Sequence, residues 1–367
     1  MAVLLTLPAG ADTPLDELTR ALSTNDRKAV KTAEERLLGG SASLDELLKA
    51  GMLLAQHEML SDGAVIFKKC SELYPQSFEA KYNLALAQIG LNDYASAERA
   101  LQGMPSVSAR ETAAVAYLWG KVFSASGRPQ QARQSFEKAY RGNPNDENYA
   151  LDLALVYIQS SAYVLAINVL RTARRSHPES TELALELALS EALSGQSDAA
   201  IALCREMSER DSSLATARLI AAFAQCFAGN YPACEAEASA GLSLAHANPY
   251  LYYLHAEALW NERANDNGRI LNDLHTAIGK MPQCGVCLLL RSRVLEAAHN
   301  NNAAMADIRA ALAADPRQAQ AWYLLAMLYR KSGQGAAAAG ALEQYRALQN
   351  AQTNDEIESF RKQFIDK

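Results

Sequence analysis

The sequence predicts an all-α protein, an α-solenoid in which tandem helix–turn–helix repeats form a superhelix. Three observations lead to this prediction. Residues 113–146 divide into two amphipathic helices, and about nine repeats of this length follow one another over residues 44–352. Alanine is abundant, and prolines fall mainly at repeat ends. No segment alternates apolar and polar residues as a half-buried strand does.

The spacing inside one repeat explains how its helices pack. If Ala113 is position 1, small residues stand at positions 8, 20 and 27 and let the helices approach: Gly120, Ala132 and Ala139. Large residues at positions 7, 11 and 24 fill the remaining space: Trp119, Phe123 and Phe136. Gly127 permits the turn, and Pro144 cannot continue a helix and so ends the repeat. This spacing resembles the tetratricopeptide repeat family.

The remaining residues extend this organisation. Residues 12–43 predict degenerate N-terminal capping helices, and residues 353–367 predict a C-terminal solvating helix that covers the last apolar face. The repeat Phe78–Glu111 leaves Thr112 as one extra loop residue before the next repeat. Because each repeat packs only on its neighbours, one array can hold the whole length.

The first residues differ from the repeats. Residues 1–11 form a short apolar run that ends in small residues, which resembles a truncated secretory signal peptide without its positively charged region. This interpretation predicts export, as a periplasmic or secreted protein. The alternative is a frayed apolar terminus of a cytoplasmic protein.

Composition excludes several partners. The chain has 367 residues, a net charge of −6 and a pI near 5.6, whereas nucleic-acid binding needs a basic face. No apolar stretch approaches the roughly 18–20 residues that span a bilayer, so we predict no transmembrane segment.

The resemblance implies a binding surface. In this family the first helices of the repeats line a concave face, and positions 2, 5, 9 and 12 point inward. At positions 5, 9 and 12 this sequence places mainly apolar and aromatic residues, flanked by charged Lys121, Glu257 and Arg293. We predict that a protein or peptide partner binds these residues: Tyr82, Leu86, Tyr117, Leu151, Leu155, Leu185, Leu189, Leu219, Phe223, Tyr253 and Trp260. Such a groove suits an amphipathic helix or an extended segment with apolar anchors.

An alternative remains for the same residues. Side chains at positions 5 and 9 also pack between adjacent first helices, so these residues could be core, with binding elsewhere. The Lys and Asn pattern with which some family members hold a terminal carboxylate is absent from these positions.

One motif suggests chemistry. His255 and Glu257, followed by Cys284 and Cys287, resemble the H-x-E and P-C-x-x-C pattern of zinc deaminases. Gln283 interrupts the second half, the intervening segment predicts a helix where a deaminase needs a strand, and His255 falls at core position 7. We therefore predict neither catalysis, nor a metal site, nor a cofactor.

The cysteines keep several interpretations open. Cys284 and Cys287 stand at a predicted helix start, where they could be ordinary thiols, a disulfide or redox pair, or metal ligands. Cys226 and Cys234 flank the Gly229 turn on opposite helices and could form a disulfide in an exported protein.

The sequence thus predicts a non-catalytic scaffold or adaptor that binds a peptide or helix of a partner protein. The alternative is a thiol-redox or metal-binding protein that uses Cys284 and Cys287.

Overall fold

The structure is a computed structural model that describes residues 13–40, 42–105, 108–262 and 266–349. The predicted signal peptide, residues 1–11, and the predicted solvating helix, residues 353–367, lie outside the described residues. Every regular element in the described residues is an α-helix, which confirms the all-α repeat fold.

Twenty helices follow one another in antiparallel pairs within the described ranges. They are α1 Pro14–Ser23, α2 Arg27–Gly39, α3 Leu44–Gln56, α4 Leu60–Leu73, α5 Phe78–Gly90, α6 Tyr94–Leu101, α7 Ala109–Ala125, α8 Pro129–Gly142, α9 Glu147–Gln159, α10 Tyr163–Ser176, α11 Thr181–Leu193, α12 Ser197–Arg210, α13 Ala215–Phe227, α14 Tyr231–Leu242, α15 Tyr250–Asn261, α16 Asn267–Lys280, α17 Gly285–Ala297, α18 Asn301–Ala314, α19 Ala319–Lys331 and α20 Gly335–Gln349.

One junction differs from the sequence prediction. Thr112 was predicted to be an extra loop residue, but it lies inside α7, which begins at Ala109. The cause is local, because Ser108 accepts a hydrogen bond from the Glu111 backbone while the Glu111 side chain accepts one from the Ser108 backbone. This capping box starts the helix a turn earlier than the repeat boundary.

The turn between the two helices of a repeat has the same backbone geometry from one repeat to the next. In each repeat whose position 15 is described, that residue is in the left-handed region, with φ between 58° and 82°. Glycine occupies the position at Gly127, Gly195, Gly229 and Gly333, whereas Glu58, Asn92, Ser161 and His299 adopt it without glycine's freedom. The turn is therefore set by helix packing as much as by residue type.

The described chain forms two compact units. The N-terminal unit is Met1–Val156 and the C-terminal unit is Tyr157–Lys367. Within each unit, successive helices pack against each other, and successive first helices also touch: α3 with α5 and α5 with α7 in the N-terminal unit, α11 with α13 and α13 with α15 in the C-terminal unit. First helices thus lie side by side in these parts of each unit.

Candidate functional site

The predicted groove residues differ in how far they reach solvent. Leu86 is 45% exposed. The half-buried members are Tyr82, Tyr117, Leu151, Leu155, Leu185 and Trp260. These side chains are accessible to a partner, and their role in binding stays a prediction.

Other members of the predicted set are core residues. Leu189, Leu219, Phe223 and Tyr253 are each at most 3% exposed. The core-packing alternative describes these four residues, because they lie on α11, α13 and α15, where neighbouring first helices touch. Sequence spacing alone could not separate the two outcomes, since it places buried and accessible residues at the same repeat positions.

In the N-terminal unit, the first helices carry a cluster of two tyrosines, of which Tyr117 is half-buried and Tyr149 is buried. The rings of Tyr117 on α7 and Tyr149 on α9 have centroids 4.7 Å apart. The Lys121 ammonium lies 5.8 Å from the centre of the Tyr117 ring and 3.1 Å from the Asp152 carboxylate. Tyr149, which sequence spacing did not single out, belongs to this cluster because α7 and α9 are adjacent first helices.

The electrostatics of this cluster disfavour further negative charge. Burial, followed by the negative charge and hydrogen bond of Asp152, raises the pKa of Tyr117 far above its usual range. Burial and the charge of Asp146 raise the pKa of Tyr149 to about 12. The hydroxyls therefore stay protonated at neutral pH, and they face carboxylates. The half-buried Tyr117 therefore offers apolar area with a hydroxyl group, which suits protein binding, whereas Tyr149 is buried.

In the C-terminal unit, a cavity of about 210 Å³ lies beside the turn between α13 and α14 and against α15. Its walls include aromatic rings and one carboxylate, that of Glu257. Phe223 and Tyr253 contribute to these walls although little of either side chain is exposed. Trp260, also on α15, lines a separate cavity of about 650 Å³ together with Arg293 of α17 and Lys331 of α19.

The residues of the deaminase-like pattern do not form a metal site. His255 is buried, its Nδ1 lies 2.7 Å from the Asp273 carboxylate, and its Nε2 lies 3.1 Å from the Arg269 guanidinium. Because arginine only donates, Nε2 accepts and Nδ1 carries the hydrogen that Asp273 accepts. Both ring nitrogens are therefore occupied. In the described ranges, no group of three or more His, Cys, Asp or Glu side chains is arranged to hold a metal ion.

The cysteines form two disulfides, both in the C-terminal unit. Cys226 of α13 is bonded to Cys234 of α14 across the turn, and Cys284 is bonded to Cys287 at the start of α17. Cys70 and Cys204 are free and buried, and burial raises the pKa of the Cys70 thiol to about 11.

The Cys284–Cys287 disulfide is poorly placed for exchange with another protein. Cys284 is 5% exposed and Cys287 is fully buried. A reactive thiol pair needs access for the attacking group. The thiol-redox alternative therefore has less support from the structure than the scaffold hypothesis.

No described helix is both long and apolar enough to span a bilayer.

The fold places this chain in the class of helical-repeat proteins, in which each repeat packs against the next. The chain contains tetratricopeptide repeats, since models described as tetratricopeptide repeats match residues 124–189 and 289–354. No curated protein matches the sequence.

Several solved structures resemble the chain at low similarity. Yeast Tom70 is 13% identical, with 95% of this chain and 94% of that chain covered and a TM-score of 0.46. A tetratricopeptide repeat protein from Parabacteroides merdae is 15% identical, with 78% and 98% covered and a TM-score of 0.40. MamA is 13% identical, with 44% and 93% covered and a TM-score of 0.39. At these scores the likenesses carry no argument about partners.

Proposed function

We propose that this protein is a non-catalytic scaffold that binds a peptide or helix of a partner protein on the face formed by the first helices. The observation that carries the proposal is the exposure of apolar side chains on that face. Met52 and Leu86, both at position 9 of their repeats, are 48% and 45% exposed. They lie on neighbouring first helices, α3 and α5, which touch each other. Adjacent exposed apolar side chains on a rigid surface favour protein binding.

The test is partner capture from native extract with a groove variant and a matched control. The groove variant is Met52→Glu with Leu86→Glu, which changes side chains that already reach solvent. The control is Val65→Glu, which places the same charge on the second helix α4, where Val65 is 52% exposed. Circular dichroism checks that both variants remain folded.

The expected result is that wild type and Val65→Glu retain the same partner while the groove variant loses it, because a carboxylate would have to be desolvated in the interface. Equal retention by all three proteins would exclude the first-helix face of α3 and α5 as the binding surface.

We also propose that the protein functions in an oxidising compartment, as a periplasmic or secreted protein. Disulfides persist mainly outside the cytosol, and the fold pairs Cys226 with Cys234 and Cys284 with Cys287. The test is alkylation of denatured protein from intact cells with a mass-tagged maleimide. Modification of Cys70 and Cys204 alone is expected, whereas tagging of all six cysteines would contradict the proposal.

A further inference from the structure

The cavity at the α13–α14 turn has an unusual combination of walls. Its rings come from Phe223, Phe227, Tyr231, Tyr250 and Tyr253, and its only ionisable carboxylate is that of Glu257. The side of the cavity nearest the turn is accessible, because Phe227 is 37% exposed. The cavity of about 210 Å³ is smaller than the roughly 300–1,000 Å³ of pockets for drug-sized ligands. Its size therefore suits one amino-acid side chain.

The aromatic walls favour a cation. Phe223 and Phe227 are stacked with centroids 5.9 Å apart, and Tyr250 and Tyr253 are tilted with centroids 5.0 Å apart. Ring faces carry partial negative charge, so an ammonium or guanidinium group within about 6 Å of a ring centre is attracted to it.

The carboxylate adds a formal negative charge to these walls. Glu257 Oε1 accepts a hydrogen bond from Asn261 Nδ2 at 3.0 Å, and the Tyr253 hydroxyl also hydrogen-bonds to the carboxylate. Both of these groups are neutral. Burial raises the pKa of Glu257, and the charge of Arg293 on α17 partly opposes that effect. A half-buried carboxylate whose direct hydrogen-bond donors are neutral is stabilised by an added counter-charge.

We propose that this cavity binds a lysine or arginine side chain of the partner protein, with the aliphatic stem along the rings and the charged head at Glu257. The inference rests on the proposed scaffold function, because it assigns the partner a cationic anchor. An acidic side chain would meet like charge at Glu257. A purely apolar side chain would leave the charge of Arg293 as the counter-charge that opposes the burial of Glu257. The net charge of −6 further favours a basic partner segment.

The experiment uses small probes on the purified full chain. Saturation-transfer NMR compares Nα-acetyl-lysinamide and Nα-acetyl-argininamide with neutral Nα-acetyl-norleucinamide. Glu257→Gln removes the charge and keeps the shape of the side chain. Phe227→Leu removes one ring at the accessible side, where a change of side chain is tolerated. Glu209→Gln is the matched control, because it makes the same carboxylate-to-amide change at an exposed position on α12.

The expected result is binding of both cationic probes in preference to norleucinamide. Glu257→Gln should weaken that binding about tenfold, as a charge-assisted hydrogen bond is lost. Phe227→Leu should weaken it about two- to fivefold, as one cation–π contact is lost. Glu209→Gln should bind as wild type does.

Two outcomes would overturn the proposal: equal binding of the neutral probe, or cation binding that neither Glu257→Gln nor Phe227→Leu weakens. This test needs no partner, so it separates the inference from the scaffold function. Suppose that Met52→Glu/Leu86→Glu loses the partner and that wild type binds none of the probes. That result would support the scaffold function and would reject the cation site alone.

Discussion

The two units fill the space between paired helices in different ways. In the N-terminal unit, Gly51 and Gly120 at position 8 receive the rings of Phe67 and Phe136, and a β-carbon on either glycine would lie 2.5 Å from the ring. In the C-terminal unit, position 8 carries Ala188, Ala222, Ala256, Ser292 or Ala326, and no phenylalanine opposes it at position 24.

The C-terminal unit instead places polar pairs between its helices. His255 with Asp273 and Arg291 with Asp307 each join position 7 of a first helix to the following second helix, with closest approaches of 2.7 Å. The buried polar residues of the described ranges all lie in this unit: Ser190, Glu191, Ser197, His255, Asp273, Ser292, Asp307 and Gln318. One repeat geometry therefore accepts either an aromatic ring or a buried polar pair that includes a carboxylate. The second choice costs desolvation and requires matched partners.

The largest expected difference between the units concerns the disulfides. Cys226→Ala with Cys234→Ala should lower the free energy of unfolding of the C-terminal unit by about 2–3 kcal/mol, because the bond no longer restricts the unfolded chain. Hydrogen exchange with mass spectrometry, resolved by peptide, measures this region by region. Peptides of the N-terminal unit, which has no disulfide among its described residues, serve as the internal control. Equal loss of protection in both units would show that they unfold as one cooperative body.

A pH dependence should also distinguish the C-terminal unit. Burial, then the charge of Glu182, raises the pKa of Glu186 from 4.5 to about 7. Because the folded-state pKa lies above the unfolded one, the folded state loses stability as pH rises through this interval, and the loss is complete above about pH 7. Glu186→Gln should therefore stabilise the unit by about 2 kcal/mol at pH 8 and have little effect at pH 4.

Urea unfolding of wild type and Glu186→Gln at the two pH values measures this effect. Glu209→Gln is the control for a charge change at an exposed site on α12. A stabilisation by Glu186→Gln that is the same at both pH values would contradict the role assigned to its ionisation.

The glycine–phenylalanine packing predicts a smaller effect on stability. Helix propensity alone would make a glycine-to-alanine change stabilising, whereas this packing should make it destabilising. Gly120→Ala should destabilise the N-terminal unit by about 1–2 kcal/mol, since overpacking against Phe136 outweighs the better propensity of alanine. Adding Phe136→Leu should relieve the clash, because Ala154 already stands opposite Leu170 in the next repeat. Ala222→Gly in the C-terminal unit should cost about 0.5–1 kcal/mol through propensity alone. Urea unfolding midpoints compare the stability of wild type, Gly120→Ala, Gly120→Ala/Phe136→Leu and Ala222→Gly. An unchanged or raised midpoint for Gly120→Ala would reject the packing argument.

The smallest expected effect concerns the tyrosine cluster. Lys121→Met removes the partner of the half-buried Asp152 and should cost about 0.5–1 kcal/mol. Lys49→Met breaks the exposed pair with Asp45 and should cost close to nothing. Thermal denaturation of the two variants compares them, and equal midpoints would mean that Lys121 stabilises the cluster no more than a surface lysine does.

Much of the fold follows from the sequence by itself. The 34-residue period determined the helix pairs and their order, because small residues such as Ala132 and Ala139 recur where helices must approach and prolines such as Pro144 recur where a helix must end. These are local requirements of one repeat and its neighbour. They can be predicted without knowing the rest of the chain.

The tertiary structure alone decided which groove residues reach solvent and which polar groups pair. Leu86 and Phe223 share position 9, yet the first is exposed and the second is buried, since exposure depends on how closely the neighbouring first helices approach. The partners of His255 lie on another helix, and the Glu257 cavity is enclosed by three helices. A repeat period specifies positions along the chain, whereas burial and hydrogen bonding depend on the side chains that other helices bring to the same place.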